Sequence, residues 1–219
     1  MSETKKAISQ DRKRTNILHD QELALIAYLV ERMPRWVTSN MLTSLGLCGN
    51  LLVALLMSWL LLFTPIAFFV NWFGDSLDGR LAYYRKKPRK WFGFCLDIVV
   101  DWIGIVAIGL GYYAYVQPEW KVVGFIFVVL YGAEMIISQL RYKVTDKYSI
   151  DSGILGPTEV RIILALLFCS EFFFPGSMQW FGLMISIILL FSFISDFRKL
   201  LAAADERDIA LRREQQASN

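Results

Sequence analysis

Residues 73–104, FGDSLDGRLAYYRKKPRKWFGFCLDIVVDWIG, combine apolar, membrane-like sequence with an unusual number of acids. Four aspartates, Asp75, Asp78, Asp97 and Asp101, form two pairs on either side of one basic loop. An aspartate at the centre of a membrane helix costs about 2.5–3.5 kcal/mol. Four of them in this setting therefore need protons, basic partners or a bound cation.

The whole chain has the composition of an integral membrane protein. It has 219 residues, 55% of them hydrophobic, with a mean hydropathy of +0.42. A membrane-spanning helix needs about 20 mainly apolar residues. The segments that meet this requirement are 38–57, 59–84, 91–116, 119–140, 157–175 and 177–197. We predict an all-α integral membrane protein with six transmembrane helices.

Lysine and arginine indicate the orientation. The basic clusters are residues 5–14, 85–90, 141–147 and 198–213, and the alternate loops have almost no basic residues. Because basic loops stay on the cytoplasmic side, we expect both termini in the cytoplasm. We expect a bacterial inner membrane rather than the endoplasmic reticulum. The net charge of +3 reflects this loop bias, and no nucleic-acid partner is expected.

The predicted organisation is a cytoplasmic N-terminal segment, a six-span domain and a cytoplasmic tail, at residues 1–35, 36–200 and 201–219. An amphipathic helix is predicted in the N-terminal segment because Leu18, Leu25, Leu29 and Met33 recur at helical spacing. This juxtamembrane helix is expected in the membrane interface. The alternative is a soluble cap that packs on the helix bundle.

The two aspartate pairs are expected to meet at one depth. Asp78 precedes Arg85 by seven residues and Asp97 follows Lys90 by seven, so in antiparallel helices both lie roughly 10 Å below the loop. Residues three or four apart share a helix face. Hard divalent cations bind carboxylate oxygens, so the pattern predicts Mg²⁺ or Mn²⁺, with two metals suited to phosphoryl transfer. A polar network with Arg80 and Arg85 is the alternative.

The four aspartates, two glycines and one alanine form a spaced pattern, Asp75-x2-Asp78-Gly79-x2-Ala82 and then Gly93-x3-Asp97-x3-Asp101. The pattern resembles the signature of the CDP-alcohol phosphotransferase family. The early segment with Asn40 and Thr43 is similar to one at that family's first span, so the resemblance covers most of residues 36–200. Tyr83 departs from the pattern, because the family usually has arginine directly after the alanine.

The resemblance implies the chemistry and the residue roles. A CDP-linked substrate, most often CDP-diacylglycerol, is attacked by an alcohol, and CMP leaves. By position, Asp75, Asp78 and Asp97 would bind metal, and Asp101 would bind metal and act as general base. The implied CDP-binding residues are Asn40, Thr43, Asp75, Gly79, Ala82 and Arg85. A homodimer in contact with membrane lipids is also implied.

A second group of basic residues is predicted to bind the acceptor alcohol. Arg141, Lys143 and Arg161 lie near the ends of the fourth and fifth predicted spans, and such a group suits a phosphate on the acceptor. Its spacing resembles the basic trio of the phosphatidylinositol-phosphate synthases within the family. Inositol phosphate is therefore the expected acceptor, with glycerol phosphate next. If the trio only obeys the positive-inside rule, an unphosphorylated alcohol such as inositol, ethanolamine or serine is expected.

Two other functions are compatible with intramembrane acids. Membrane prenyltransferases also hold a diphosphate on paired aspartates and magnesium, although their acidic motifs lie further apart. An ion-coupled transporter would use the acids as a charge relay, and inverted repeats, which the sequence lacks, would be expected. The prediction is a CDP-alcohol phosphatidyltransferase of phospholipid biosynthesis.

Overall fold

A computed structural model describes residues 18–145 and 157–218, which contain helices and no β-strand. The helices are α1 (His19–Arg32), α2 (Ser39–Trp59), α3 (Thr64–Tyr84), α4 (Lys90–Tyr115), α5 (Lys121–Thr145), α6 (Pro157–Phe173) and α7 (Ser177–Ser218). Short 3-10 helices, Leu61–Phe63 and Pro118–Trp120, precede α3 and α5. The predicted all-α class is confirmed for this part of the chain.

Four segments within the described residues are long and apolar enough to cross a membrane. They are Ser39–Met57, Lys90–Tyr115, Pro118–Thr145 and Ser177–Gln216. These segments support an integral membrane protein. The other two predicted spans correspond to α3, which carries an aspartate pair, and to α6, which has 17 residues. Six crossing helices therefore stay a prediction.

Local chemistry fixes several helix ends. Thr38 caps α2, since its hydroxyl accepts a hydrogen bond from the Met41 N–H at 3.3 Å. Pro65 lies in the first turn of α3, where a missing N–H costs nothing. Gly176 joins α6 to α7 with φ of +92°, a left-handed conformation that favours glycine. The predicted sixth span and the predicted tail form one continuous helix of 42 residues.

Helices α2, α3 and α4 pack almost backbone to backbone. A Cβ atom on Gly74 of α3 would lie 2.3 Å from the backbone nitrogen of Gly46 on α2. A Cβ atom on Gly111 of α4 would lie 2.7 Å from the Cα of Ala54, also on α2. Small residues permit such close approach between membrane helices. Helix α2 therefore holds the two aspartate-bearing helices against itself.

The remaining helices complete a chamber. Helix α5 packs along α7, and α6 packs against α3 and α7. Residues of α3, α4, α5, α6 and α7 line most of one cavity of about 1160 Å³. Its walls are largely apolar, with side chains such as Phe68, Ile108, Leu164 and Phe181. Polar side chains occupy the part of the cavity near the aspartates.

Helix α1 packs on α3, and its location in the membrane interface stays a prediction. Its buried apolar side chains are Leu23, Ile26, Ala27 and Val30, in one cluster with Leu77 and Leu81 of α3. On the predicted apolar face, Leu25 is 46% exposed, and Leu29 and Met33 are partly buried, so part of this face is left uncovered by the protein. The helix is apolar on two adjacent faces, and periodicity alone does not tell which one meets the bundle.

Candidate active site

Three of the four aspartates come together between α3 and α4. Asp75, Asp97 and Asp101 each offer one carboxylate oxygen, and these oxygens lie within 4.8 Å of one another. Opposed ligands of Mg²⁺, with bonds of about 2.0–2.1 Å, lie about 4.2 Å apart. A small side-chain adjustment would therefore suit that ion. The three partly buried aspartates can bind a divalent cation.

Asp78 faces the same region and is held from two sides. Its carboxylate accepts hydrogen bonds from the Thr43 hydroxyl at 2.6 Å and from the Gly79 N–H. The Ser39 hydroxyl donates to the Asp78 carbonyl. With the three clustered aspartates, Asp78 lines a small cavity of about 10 Å³. Its role as a metal ligand stays a prediction.

Arg161 reaches the aspartates from α6. Its guanidinium forms an ion pair with the Asp75 carboxylate, and its side chain is 18% exposed. The contact places a cation beside the carboxylates and partly offsets their repulsion. A basic partner for the acids was the predicted alternative to a metal, with Arg80 or Arg85 in that position. Arg161 is a basic partner of this kind, and the network predicted with Arg80 stays a prediction.

Arg85 has a structural contact that the sequence did not indicate. Its guanidinium donates to the carbonyl oxygens of Val37 and Pro34, the latter at 2.8 Å. Arg85 is the C-cap residue of α3. Its side chain therefore connects the end of α3 to the segment between α1 and α2. These bonds occupy the group that was predicted to contact CDP, and the CDP role stays a prediction.

The other predicted CDP-binding residues border the same end of α3. A Cβ atom on Gly79 would meet nothing within 4 Å, so the helix surface there is open. Ala82 is partly buried. The side-chain oxygen of Asn40 accepts a hydrogen bond from Arg89, in the loop between the two aspartate helices. Tyr83 lines the large cavity.

The predicted acceptor trio does not gather at one point. Arg141 and Arg161 both line the large cavity, whereas the exposed Lys143 is not among its lining residues. Arg141 pairs with Asp196 of α7 at 3.1 Å. Positions 141 and 143 lie two apart on a helix, and residues at that spacing do not face the same way.

Several cavity residues had no functional role predicted from the sequence. Glu134 of α5 and Asp196 and Lys199 of α7 line the large cavity together with the four aspartates. Tyr131 of α5 lines the same cavity as Asp101. Ionisable residues within apolar segments are a signal of function, and that signal applies to Glu134 as it does to the aspartates.

Comparison with known proteins identifies the family. Residues 36–194 match the family described as CDP-alcohol phosphatidyltransferase. The match covers more than half of the chain, and the chain belongs to this family. The predicted membership of the CDP-alcohol phosphotransferase family is thereby confirmed. The narrower resemblance to phosphatidylinositol-phosphate synthases stays a prediction.

A characterised relative is also similar to the chain. Cholinephosphotransferase 1 of Xenopus laevis is 26% identical over 153 residues. The alignment covers 64% of this chain and 38% of the relative. The chain thus spans well under half of the relative's length.

Proposed function

We propose that the protein transfers a phosphatidyl group from CDP-diacylglycerol to a small alcohol and releases CMP. One observation carries the proposal: the clustered carboxylates of Asp75, Asp97 and Asp101 line the same large cavity as the apolar side chains of α4 to α7. A diphosphate needs the charged end of such a cavity, and acyl chains need the apolar part. The family membership supports the same chemistry.

The site residues have separate roles in the proposed reaction. Bound Mg²⁺ or Mn²⁺, as a pair, would supply charge stabilisation for the attacking and leaving oxygens. Asp101 is the proposed general base, because it lines the cavity where an acceptor hydroxyl would lie. Thr43 orients Asp78 through its hydrogen bond. The open surface at Gly79 leaves room for the cytidine.

The proposed acceptor is inositol phosphate. Arg161 lies at the aspartates, and a guanidinium binds phosphate through paired hydrogen bonds. Because Arg161 already pairs with Asp75, an incoming phosphate must compete with that carboxylate. Glycerol phosphate is the next acceptor to test. Inositol, ethanolamine and serine are the alternatives if no phosphate is required.

In a second candidate function, the head-group alcohol carries the CDP, and the lipid is the acceptor. The donor would be a CDP-linked amino alcohol, and the acceptor would be the hydroxyl of a diacylglycerol. The 26% sequence identity to Cholinephosphotransferase 1 favours this candidate. The same aspartates and the same apolar cavity would serve it.

The expected setting of the enzyme completes the proposal. We infer a homodimer with six crossing helices and with both termini in the cytoplasm, in a bacterial inner membrane. The family resemblance supports the dimer, and the basic loops support the orientation.

One assay separates these functions. The purified protein, with Mg²⁺ or Mn²⁺, is given CDP-diacylglycerol with each acceptor, and in parallel CDP-choline or CDP-ethanolamine with diacylglycerol. CMP release and the mass of the lipid product are measured. A product in the first arm alone supports the proposal, and a product in the second arm alone supports the second candidate. Diphosphate release from a prenyl donor, without CMP release in either arm, would contradict both.

A further inference from the structure

Two hydrogen bonds join helix α1 to the start of α6. The Thr158 hydroxyl, in the first turn of α6, donates to the Glu22 carboxylate of α1 at 2.8 Å. In the opposite direction, the Leu18 N–H at the start of α1 donates to the Glu159 carboxylate of α6, also at 2.8 Å. Both glutamates are buried. Because buried carboxylates have lost their hydration, bonds of this kind are costly to break.

Polar contacts of this kind hold the first residues of α6. The apolar side chains of Val160 and Ile162 are exposed, whereas Phe168, nearer the other end of the helix, belongs to a buried apolar cluster. The start of α6 is held by the two bonds to α1 and by the ion pair between Arg161 and Asp75. Its position beside the aspartates therefore depends on hydrogen bonds and charge.

The contact with α1 lies one helical turn from the Arg161 guanidinium. Thr158 and Arg161 are three residues apart, and residues at that spacing share a helix face. Glu22, Thr158 and Arg161 also line the same large cavity. A displacement of the first turn of α6 would move the guanidinium with it. Displacements of about 1 Å in a binding group are enough to weaken its action.

We propose that Glu22 is a positioning residue, which acts through Thr158 to hold the Arg161 guanidinium at the aspartates. The inference rests on the proposed function for its consequence, which is tighter binding of the phosphate of the acceptor. Helix α1 lies outside residues 36–194, the part of the chain that matches the family. The proposal therefore assigns α1 a role in acceptor binding, in addition to its predicted place in the membrane interface.

The kinetic test uses Glu22→Leu in the full chain, with Asp20→Asn as control, because Asp20 is an exposed acid in the first turn of the same helix. Leucine is similar in size to glutamate but accepts no hydrogen bond. We expect the KM for inositol phosphate to rise about fivefold, with the KM for CDP-diacylglycerol unchanged. A fall in kcat with an unchanged acceptor KM would indicate only a loss of folded enzyme and would overturn the proposal.

A double-mutant cycle tests whether Glu22 acts through Arg161. In an Arg161→Ala background, Glu22→Leu should raise the acceptor KM no further, since the guanidinium that Glu22 positions is gone. An equal effect of Glu22→Leu in both backgrounds would contradict the proposal. Thr158→Val should reproduce the effect of Glu22→Leu, and Thr158→Ser, which keeps the hydroxyl, should restore the acceptor KM. If Glu22→Leu does not fold, Thr158→Val takes its place in the cycle.

Hydrogen–deuterium exchange tests the same contact without turnover. The backbone amides of residues 161–165 are followed in the purified protein. They should exchange about fivefold faster in Glu22→Leu and in Thr158→Val, because the loss of the contact with α1 lets the start of α6 open more often. Asp20→Asn should exchange like wild type. Unchanged exchange in both variants would overturn the proposal.

The exchange result separates this inference from the proposed function. If no CDP-linked substrate releases CMP, while exchange in α6 still depends on Glu22, the proposed function fails and the positioning of α6 by α1 stands. If CMP is released and the acceptor KM is indifferent to Glu22 and Thr158, the positioning role fails and the proposed function stands.

Discussion

Substitution of Gly74 by alanine tests how the aspartates are held together. The new Cβ atom would lie 2.3 Å from the Gly46 nitrogen and 2.4 Å from the Leu42 carbonyl oxygen. Both are backbone atoms, so no side-chain rotation relieves the contact. Since ordinary contacts begin at 3.4 Å, α2 and α3 must separate by about 1 Å.

The size of the effect follows from this separation. Overpacking costs about 1–3 kcal/mol, and replacing glycine in a helix returns about 1 kcal/mol. A clash against two backbone atoms belongs at the upper end, so we expect a net loss of about 2 kcal/mol, or about 4–8 °C in melting temperature. The Thr43–Asp78 bond, now 2.6 Å, would lengthen beyond hydrogen-bond range.

The assay is thermal unfolding of the purified protein together with CMP release. Gly79→Ala is the matched control on the same helix, because its Cβ atom meets nothing within 4 Å. That variant should unfold at or above the wild-type temperature while losing donor affinity, since the methyl group enters the proposed cytidine space. Wild-type stability in Gly74→Ala, or a loss of stability in Gly79→Ala, would refute the packing described for α2 and α3.

Three further predictions concern single residues. Glu171 accepts four hydrogen bonds at the start of α7, from Tyr115 at 2.9 Å and from the residues at 176–178, so Glu171→Gln should lower the melting temperature with no change in acceptor preference. Arg85→Gln should loosen the α1–α2 linker and increase proteolytic cleavage there, and an uncleaved linker would speak against its structural role. Asp101→Asn should abolish CMP release while leaving the melting temperature near wild type, and residual turnover would exclude Asp101 as the base.

The aspartate cluster can be predicted from the sequence because charged residues are costly in apolar segments and because residue spacing defines a helix face. The convergence of Asp75 with Asp97 and Asp101 follows from those two facts. The contact between Arg161 and Asp75 does not, because it depends on how α6 is placed against α3. Spacing along one helix carries no information about a partner 86 residues away.

The same limit explains which contacts could not be predicted from the sequence. Helix α1 has apolar side chains on two faces, and its packing on Leu77 and Leu81 selects one of them. The guanidinium of Arg85 could bind phosphate, but it donates hydrogen bonds to carbonyl groups of the segment between α1 and α2. Those bonds depend on how α1 packs against α3. The neutral pairing of Arg141 with Asp196 likewise needs the contact between α5 and α7.

Binding of Mn²⁺ to the purified protein is the most direct test of the proposed metal centre. A titration followed by electron paramagnetic resonance compares wild type with Asp97→Asn, and with Asp205→Asn on the exposed end of α7 as control. Wild type and Asp205→Asn should bind Mn²⁺ tightly, and Asp97→Asn should lose that binding while keeping its helical fold. Equal Mn²⁺ binding by all three proteins would contradict a metal centre built on the clustered aspartates.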